Sequence, residues 1–300
     1  MNKILITLIA LLSTHSFADK TELTLKFNGL TKMIGQHYEG WNIVNGVAES
    51  TGRFAVTSKG HVVSVNKNGD YIKKIGKNGY AKFLVPESQR QSSLFVLTIE
   101  PNNDQDDSPS SVHLFGGKYT NEQATLSIDH QSSIGTNFSN SEGSVILAAP
   151  SGGEDNQGVW FLNPSNGKSS LDLPELPNGW AYEGWIVNQK NNKKFSTGIF
   201  IDPNGNDSDN AGLLAGPLKL DTPNLPGQDI VKSSVVLDDG IHSIVVTVEP
   251  YPDYDPRPFD IKILKHDIKK LQEGKKSLNL NNIAEDLPAG KVYFNTNHNK

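Results

Sequence analysis

The stretch Tyr38-Glu39-Gly40-Trp41 recurs as Tyr182-Glu183-Gly184-Trp185. Two further blocks recur in the same order. Ser50-Thr51-Gly52-Arg53-Phe54 returns as Ser196-Thr197-Gly198-Ile199-Phe200. Phe95-Val96-Leu97-Thr98-Ile99-Glu100-Pro101 returns as Ile244-Val245-Val246-Thr247-Val248-Glu249-Pro250. The offsets are 144, 146 and 149, so the chain carries two copies with small insertions in the second. A period near 145 is far longer than a solenoid repeat, and each copy is read as a whole domain.

Around these blocks the sequence reads as strand. Glu22 to Phe27 alternates with period two and then meets Asn28-Gly29. Gly60 to Val65 ends at the hairpin signal Asn68-Gly69. Val145 to Ala149 and Val159 to Leu162 are short apolar runs between turn residues. Ser234 to Leu237 and Ile241 to Val248 flank Asp238-Asp239-Gly240, a second hairpin signal. Outside residues 1–18 and the tail, no window of helical length carries an apolar stripe. The expected fold is all-β, as two tandem immunoglobulin-like β-sandwich domains. The boundaries are 19–125 for copy one, 126–142 for a linker, 143–266 for copy two and 267–300 for a tail. Asp267 to Leu271 suggests a short helix in that tail, and Lys291 to Phe294 one more strand.

Residues 1–18 read as a secretory signal. Lys3 gives a basic start, Ile4 to Leu12 an apolar run, and Ser16-Phe17-Ala18 small residues around a cut before Asp19. The apolar run is too short for a bilayer span, which takes about 20 residues. The expected location is therefore the periplasm or the medium, with cleavage near Ala18 and no stable membrane span. The 300 residues contain no cysteine, which excludes disulfides, thiolate catalysis and cysteine-held metals. A net charge of −5 gives no electrostatic footprint for nucleic acid.

The motifs and their order resemble the extracytoplasmic C-terminal domain of anti-sigma-K factors (RskA). In copy one the resemblance lies in Gly29-Leu30, Tyr38 to Trp41, Ser50 to Phe54, Thr98 to Pro101, Ser108-Pro109 and Leu114-Phe115-Gly116. In copy two it lies in Leu173 to Pro177, Tyr182 to Trp185, Ser196 to Phe200, Thr247 to Pro250 and Asp255 to Pro258. Members of that family resemble three-part proteins, with a sigma-binding segment, a span and an outer β-domain. The sequence departs from that plan, showing neither a sigma-binding segment nor a span. The resemblance implies an exported, non-catalytic β-domain, duplicated, acting as an envelope sensor or regulatory module. Its expected partners are an envelope protein or a cell-wall component, and it names no catalytic residue.

Several groups are candidates for chemistry. Tyr38, Glu39, Trp41 and Glu100, with Tyr182, Glu183, Trp185 and Glu249, form the repeated motif. Their expected role is structural, with glutamates that accept backbone N–H bonds at a bulge or loop start. The alternative is a carbohydrate-active hydrolase using Glu183 and Glu249 as a carboxylate pair. A third reading is a structural surface protein. Asp202, Asn204, Asn206, Asp207 and Asp209 place oxygens at near-alternating positions of a turn-rich loop, which suggests calcium. The spacing misses the EF-hand glycine and glutamate, so a self-bonded polar turn explains the loop equally. The acidic loops Asn102–Asp107 and Tyr251–Asp255 suggest weak cation binding, although runs of this kind are more often solvated loops. Tyr251, Tyr254 and Phe259 suggest a recognition surface, although prolines that stiffen a turn account for them as well. His37, His61, His113, His130, His242, His266 and His298 show no zinc-binding spacing. Gly167-Lys168-Ser169 lacks the earlier glycine of a phosphate loop, and no Gly-x-Ser-x-Gly elbow occurs.

Overall fold

The computed structural model describes residues 19–150, 152–208, 224–231, 235–270 and 277–295. The expected signal segment, Asp209 and Ser234 lie outside these residues. The described chain is all-β, and short 3-10 turns are its only helical elements.

Ten strands close into a barrel. Copy one supplies β1 (Lys20–Asn28), β2 (Gln36–Val44), β3 (Val47–Val56), β4 (His61–Val65), β5 (Tyr71–Lys77), β6 (Tyr80–Pro86), β7 (Leu94–Pro101), β8 (His113–Lys118) and β9 (Gln123–Ser127). Next come β10 (Glu142–Leu147), β11 (Gly158–Trp160), the two-residue pair β12 (Leu162–Asn163) and β13 (Lys168–Ser169), and β14 (Leu171–Asp172). Copy two continues with β15 (Trp180–Asn188), β16 (Lys194–Phe200), β17 (Gly227–Asp229), β18 (His242–Pro250) and β19 (Ile261–Asp267). The tail holds β20 (Ser277–Asn279), β21 (Asn281–Asn282) and β22 (Ala289–Phe294).

The barrel order is β1-β22-β9-β8-β7-β2-β3-β4-β5-β6, with β6 returning to β1. Copy one is thus a barrel and not the expected sandwich. Its edges are eliminated because β22, from the tail, pairs antiparallel with both β1 and β9. Copy two stays open, as a sheet β16-β15-β18-β19-β21 and a second sheet β14-β10-β11-β17 to which β20 is added. The expected strand at Lys291 to Phe294 lies within β22. The expected strand before Asp238 does not form over the described Val235 and Val236, and Leu237–Asp239 is a 3-10 turn. Asp267 ends β19, and Ile268 to Lys270 are not helical.

The stretch expected to be a linker packs against the body of the protein. Ile134 and Phe138 are buried, and Ser133 Oγ reaches the Ile128 and His130 carbonyls. Its few apolar residues are the anchors. They belong to one core that also takes Leu23, Leu97 and Val292 from the barrel and Val145, Tyr182 and Ile244 from copy two.

The duplication is exact to the register of the pairing. The order β3-β2-β7-β8 matches β16-β15-β18-β19. Tyr38 pairs with Phe54 as Tyr182 pairs with Phe200, and the rings stack at 5.3 and 5.7 Å. Both copies slip register beside the motif tryptophan. Gly52 (φ 125°) and Gly198 (φ 103°) allow that slip, since a side chain at such φ is strained.

Candidate functional site

The shared motif builds one arrangement twice. The Trp41 indole N–H donates to Thr98 Oγ1 at 2.9 Å, and Thr98 donates to Glu100. The Trp185 indole N–H donates to Thr247 Oγ1 at 3.0 Å, and Thr247 donates to Glu249. Glu100 also accepts the Ser110 N–H at 3.0 Å, and Glu249 accepts the Phe259 N–H at 2.9 Å. Both glutamates thereby tie the end of their own strand to the residues just before the returning strand. Ser50 donates to Glu39 and Ser196 to Glu183, and each serine oxygen takes the N–H of the glycine two residues on.

The copies part at one position. In copy one, Arg53 pairs across the strands with Glu39. Its Nε lies 2.7 Å from Glu39 Oε2, an ion pair that misses hydrogen-bond alignment. In copy two the residue opposite Glu183 is Ile199. Glu183 is 3% exposed, and its Oε2 has no hydrogen-bond partner among the described residues.

Beside Glu183 stand Glu249 and Asp253. Each of the three offers an oxygen within 4.8 Å of the others. Among the described residues this is the one such cluster of three acidic or histidine groups. Burial pushes Glu183 up to about 8, with the Asp253 charge adding to it. Burial and the Glu183 charge hold Glu249 well above the carboxylate range. Asp253 is raised by burial and by neighbouring Asp255. In copy one burial also raises Glu39, but Ser50 and Arg53 oppose it.

Glu249 and Asp253 line a cleft of about 450 Å³ between the copies. Leu30, Lys32 and Ser58 line it from copy one, and Lys194 and Arg257 from copy two. Two contacts hold its walls together. The Ile34 N–H donates to Asp255 Oδ2 at 3.0 Å, and Arg257 Nη2 donates to the Lys32 carbonyl at 2.9 Å.

Of the residues expected to hold calcium, Asp202, Asn204, Asn206 and Asp207 are described, and the first two form the self-bonded turn of the other reading. Asp202 Oδ1 accepts the Asn204 N–H at 2.8 Å, which makes a self-bonded turn. Asp207 is buried, and its Oδ2 accepts the Gly227 N–H at 3.0 Å. Asn206 is exposed in the same turn. Of the expected aromatic surface, Tyr251 and Tyr254 are exposed, but Phe259 is buried against Trp180. It fills the core under the loop that Glu249 anchors. The sequence reading missed Arg53 and Ile199 as a distinguishing pair, and Asp253 as part of a cluster. The signal was present, as the one charged-to-apolar exchange between otherwise matching blocks.

No helix among the described residues is long and apolar enough to cross a membrane. Set against family models, curated proteins and solved structures, the chain matches none of them.

Proposed function

We propose that the protein is an exported, non-catalytic binding module whose ligand occupies the cleft between the two repeats. The observation that carries this reading is the cleft itself. Its walls come from both copies, and its lining carries both signs of charge, with Lys32 and Lys194 beside an Arg257–Asp255 ion pair and Asp260, which pairs with Lys262. Such a lining suits a small zwitterionic or polar ligand, a peptide or a cell-wall fragment. The motif glutamates support the non-catalytic part. Glu100 and Glu249 are buried and bonded to backbone N–H groups, so they have a structural task in both copies. Export, and the sensor-type role implied by the anti-sigma-K resemblance, belong to the same proposal.

The test is capture from an envelope fraction with residues 19–300 as bait, beside Ser58→Trp, which fills the cleft from an exposed position. A peptide or cell-wall fragment held by the first and lost by the second is the expected result. Equal capture by both, or none, overturns the cleft. Cell-wall fragments that are cleaved, and no longer cleaved by Glu183→Gln, would make the protein a hydrolase instead.

A further inference from the structure

We propose that Glu183, Glu249 and Asp253 hold one hard divalent cation, of calcium size. The inference stands apart from the cleft ligand and rests on three observations.

The first is geometric. Calcium oxygens sit about 2.3–2.6 Å from the ion, so two ligands of one ion lie at most about 5 Å apart. The three carboxylate oxygens meet that limit, each within 4.8 Å of the others. The second is the state of Glu183. A carboxylate oxygen that is buried and unpartnered costs free energy unless something positive meets it. Glu183 is 3% exposed, its Oε2 has no hydrogen-bond partner among the described residues, and Glu183 is a member of the converging cluster. Ser196 occupies its other oxygen, which fixes the direction of the carboxylate.

The third is the other copy. Glu39, Glu100 and Asp104 hold the same repeat positions, at the same offsets of 144 and 149. There the guanidinium of Arg53 supplies the positive charge, 2.7 Å from Glu39. In copy two Ile199 replaces it, yet all three acids are kept. Among the described residues no ion pair reaches Glu183, Glu249 or Asp253. A metal ion standing where the guanidinium stands explains why the acids remain and the arginine does not. The donors are hard carboxylate oxygens with no histidine, which selects calcium-type ions over zinc. Glu249 and Asp253 face the cleft, which gives the ion an entry path and water for its remaining positions.

The experiment is calorimetric titration of the chelator-stripped full chain with calcium chloride, together with thermal melting with and without calcium. One ion per chain is expected, with a dissociation constant between about 10⁻⁶ and 10⁻³ M, and a melting point raised by calcium. Glu183→Gln should weaken binding by about 100-fold or more, since even groups that only orient a ligand cost 10–100-fold. Ile199→Arg, which gives copy two the arginine of copy one, should abolish binding. Chelator-stripped Ile199→Arg should melt no lower than the stripped parent, which separates loss of the site from loss of the fold. No heat and no melting shift up to about 10 mM calcium, beyond the weakest protein sites of this type, would overturn the proposal. So would binding that survives both substitutions.

Discussion

The two repeats share strand order, bulge, tryptophan–threonine–glutamate relay and loop anchor, yet they manage the same buried acid in opposite ways. Copy one sets Arg53 against Glu39, so its charge is balanced within the chain. Copy two sets Ile199 there and leaves Glu183 among two more acids. A buried charge lacking an internal partner must take up a proton or an external cation. The duplication therefore gives one sealed copy and one copy whose electrostatics depend on what the solution supplies.

The largest expected effect comes from breaking the balance in copy one. Arg53→Met keeps the bulk of the side chain and strands Glu39, which is wholly buried. A cost of about 3–5 kcal/mol is expected, read by urea denaturation at pH 8, and it should shrink as pH falls toward the ordinary carboxylate value of 4.5, because burial raises Glu39 and lets it take a proton on the way. An unchanged midpoint would show that the ion pair is no more than decoration.

The second prediction concerns copy two and pH. Folding raises Glu183 from an ordinary 4.5 to about 8, so the folded state keeps a proton that the unfolded chain has released. Its contribution is fully present below pH 4.5 and is lost as pH rises to about 8. In chelator, stability should fall over that window by at most about 1.4 kcal/mol per pH unit from this group. Glu183→Gln should remove that part of the slope. Denaturation midpoints at four or five pH values would decide it, and an identical slope in the variant would refute it.

The smallest effect tests what the copies share. Trp41→Phe and Trp185→Phe each remove one indole N–H bond to a buried threonine. Each should cost about 1 kcal/mol, and the two values should agree. A large difference would mean that the relay bears unequal weight in the two copies.

Much of the local fold was legible in the sequence. The repeated blocks announced paired strands, and the structure sets them in one register because the tyrosine, tryptophan and glycine positions each have a single place in the bulge. The barrel was not legible. Its closure depends on β22 meeting β1 and β9, and alternation within a strand says nothing about which strand lies beside it. The packed stretch around Ile134 and Phe138 was hidden for a related reason, since two anchors among Ser, Asn and Gly look like a solvated loop. At the site, Glu183 and Glu249 stood out because they repeat. Asp253 did not, because an acid in a Pro- and Tyr-rich loop resembles any exposed acid until the loop folds back over the strand.

The closing strand has a consequence for the order of assembly. Leu23 pairs with Phe294, and Arg90 Nη2 donates to the Asn295 carbonyl, so the first wall of the barrel is completed by residues made some 270 positions later. Until those residues arrive, β1 and β9 each present an unsatisfied edge. Contacts this distant along the chain form late and slowly. As a chain emerges from a ribosome, copy two waits only for the short tail strands β20 and β21, while copy one, though synthesised first, must wait for β22 to be sealed. Nascent chains stalled before residue 289 should therefore be most open to proteases along β1 and β9.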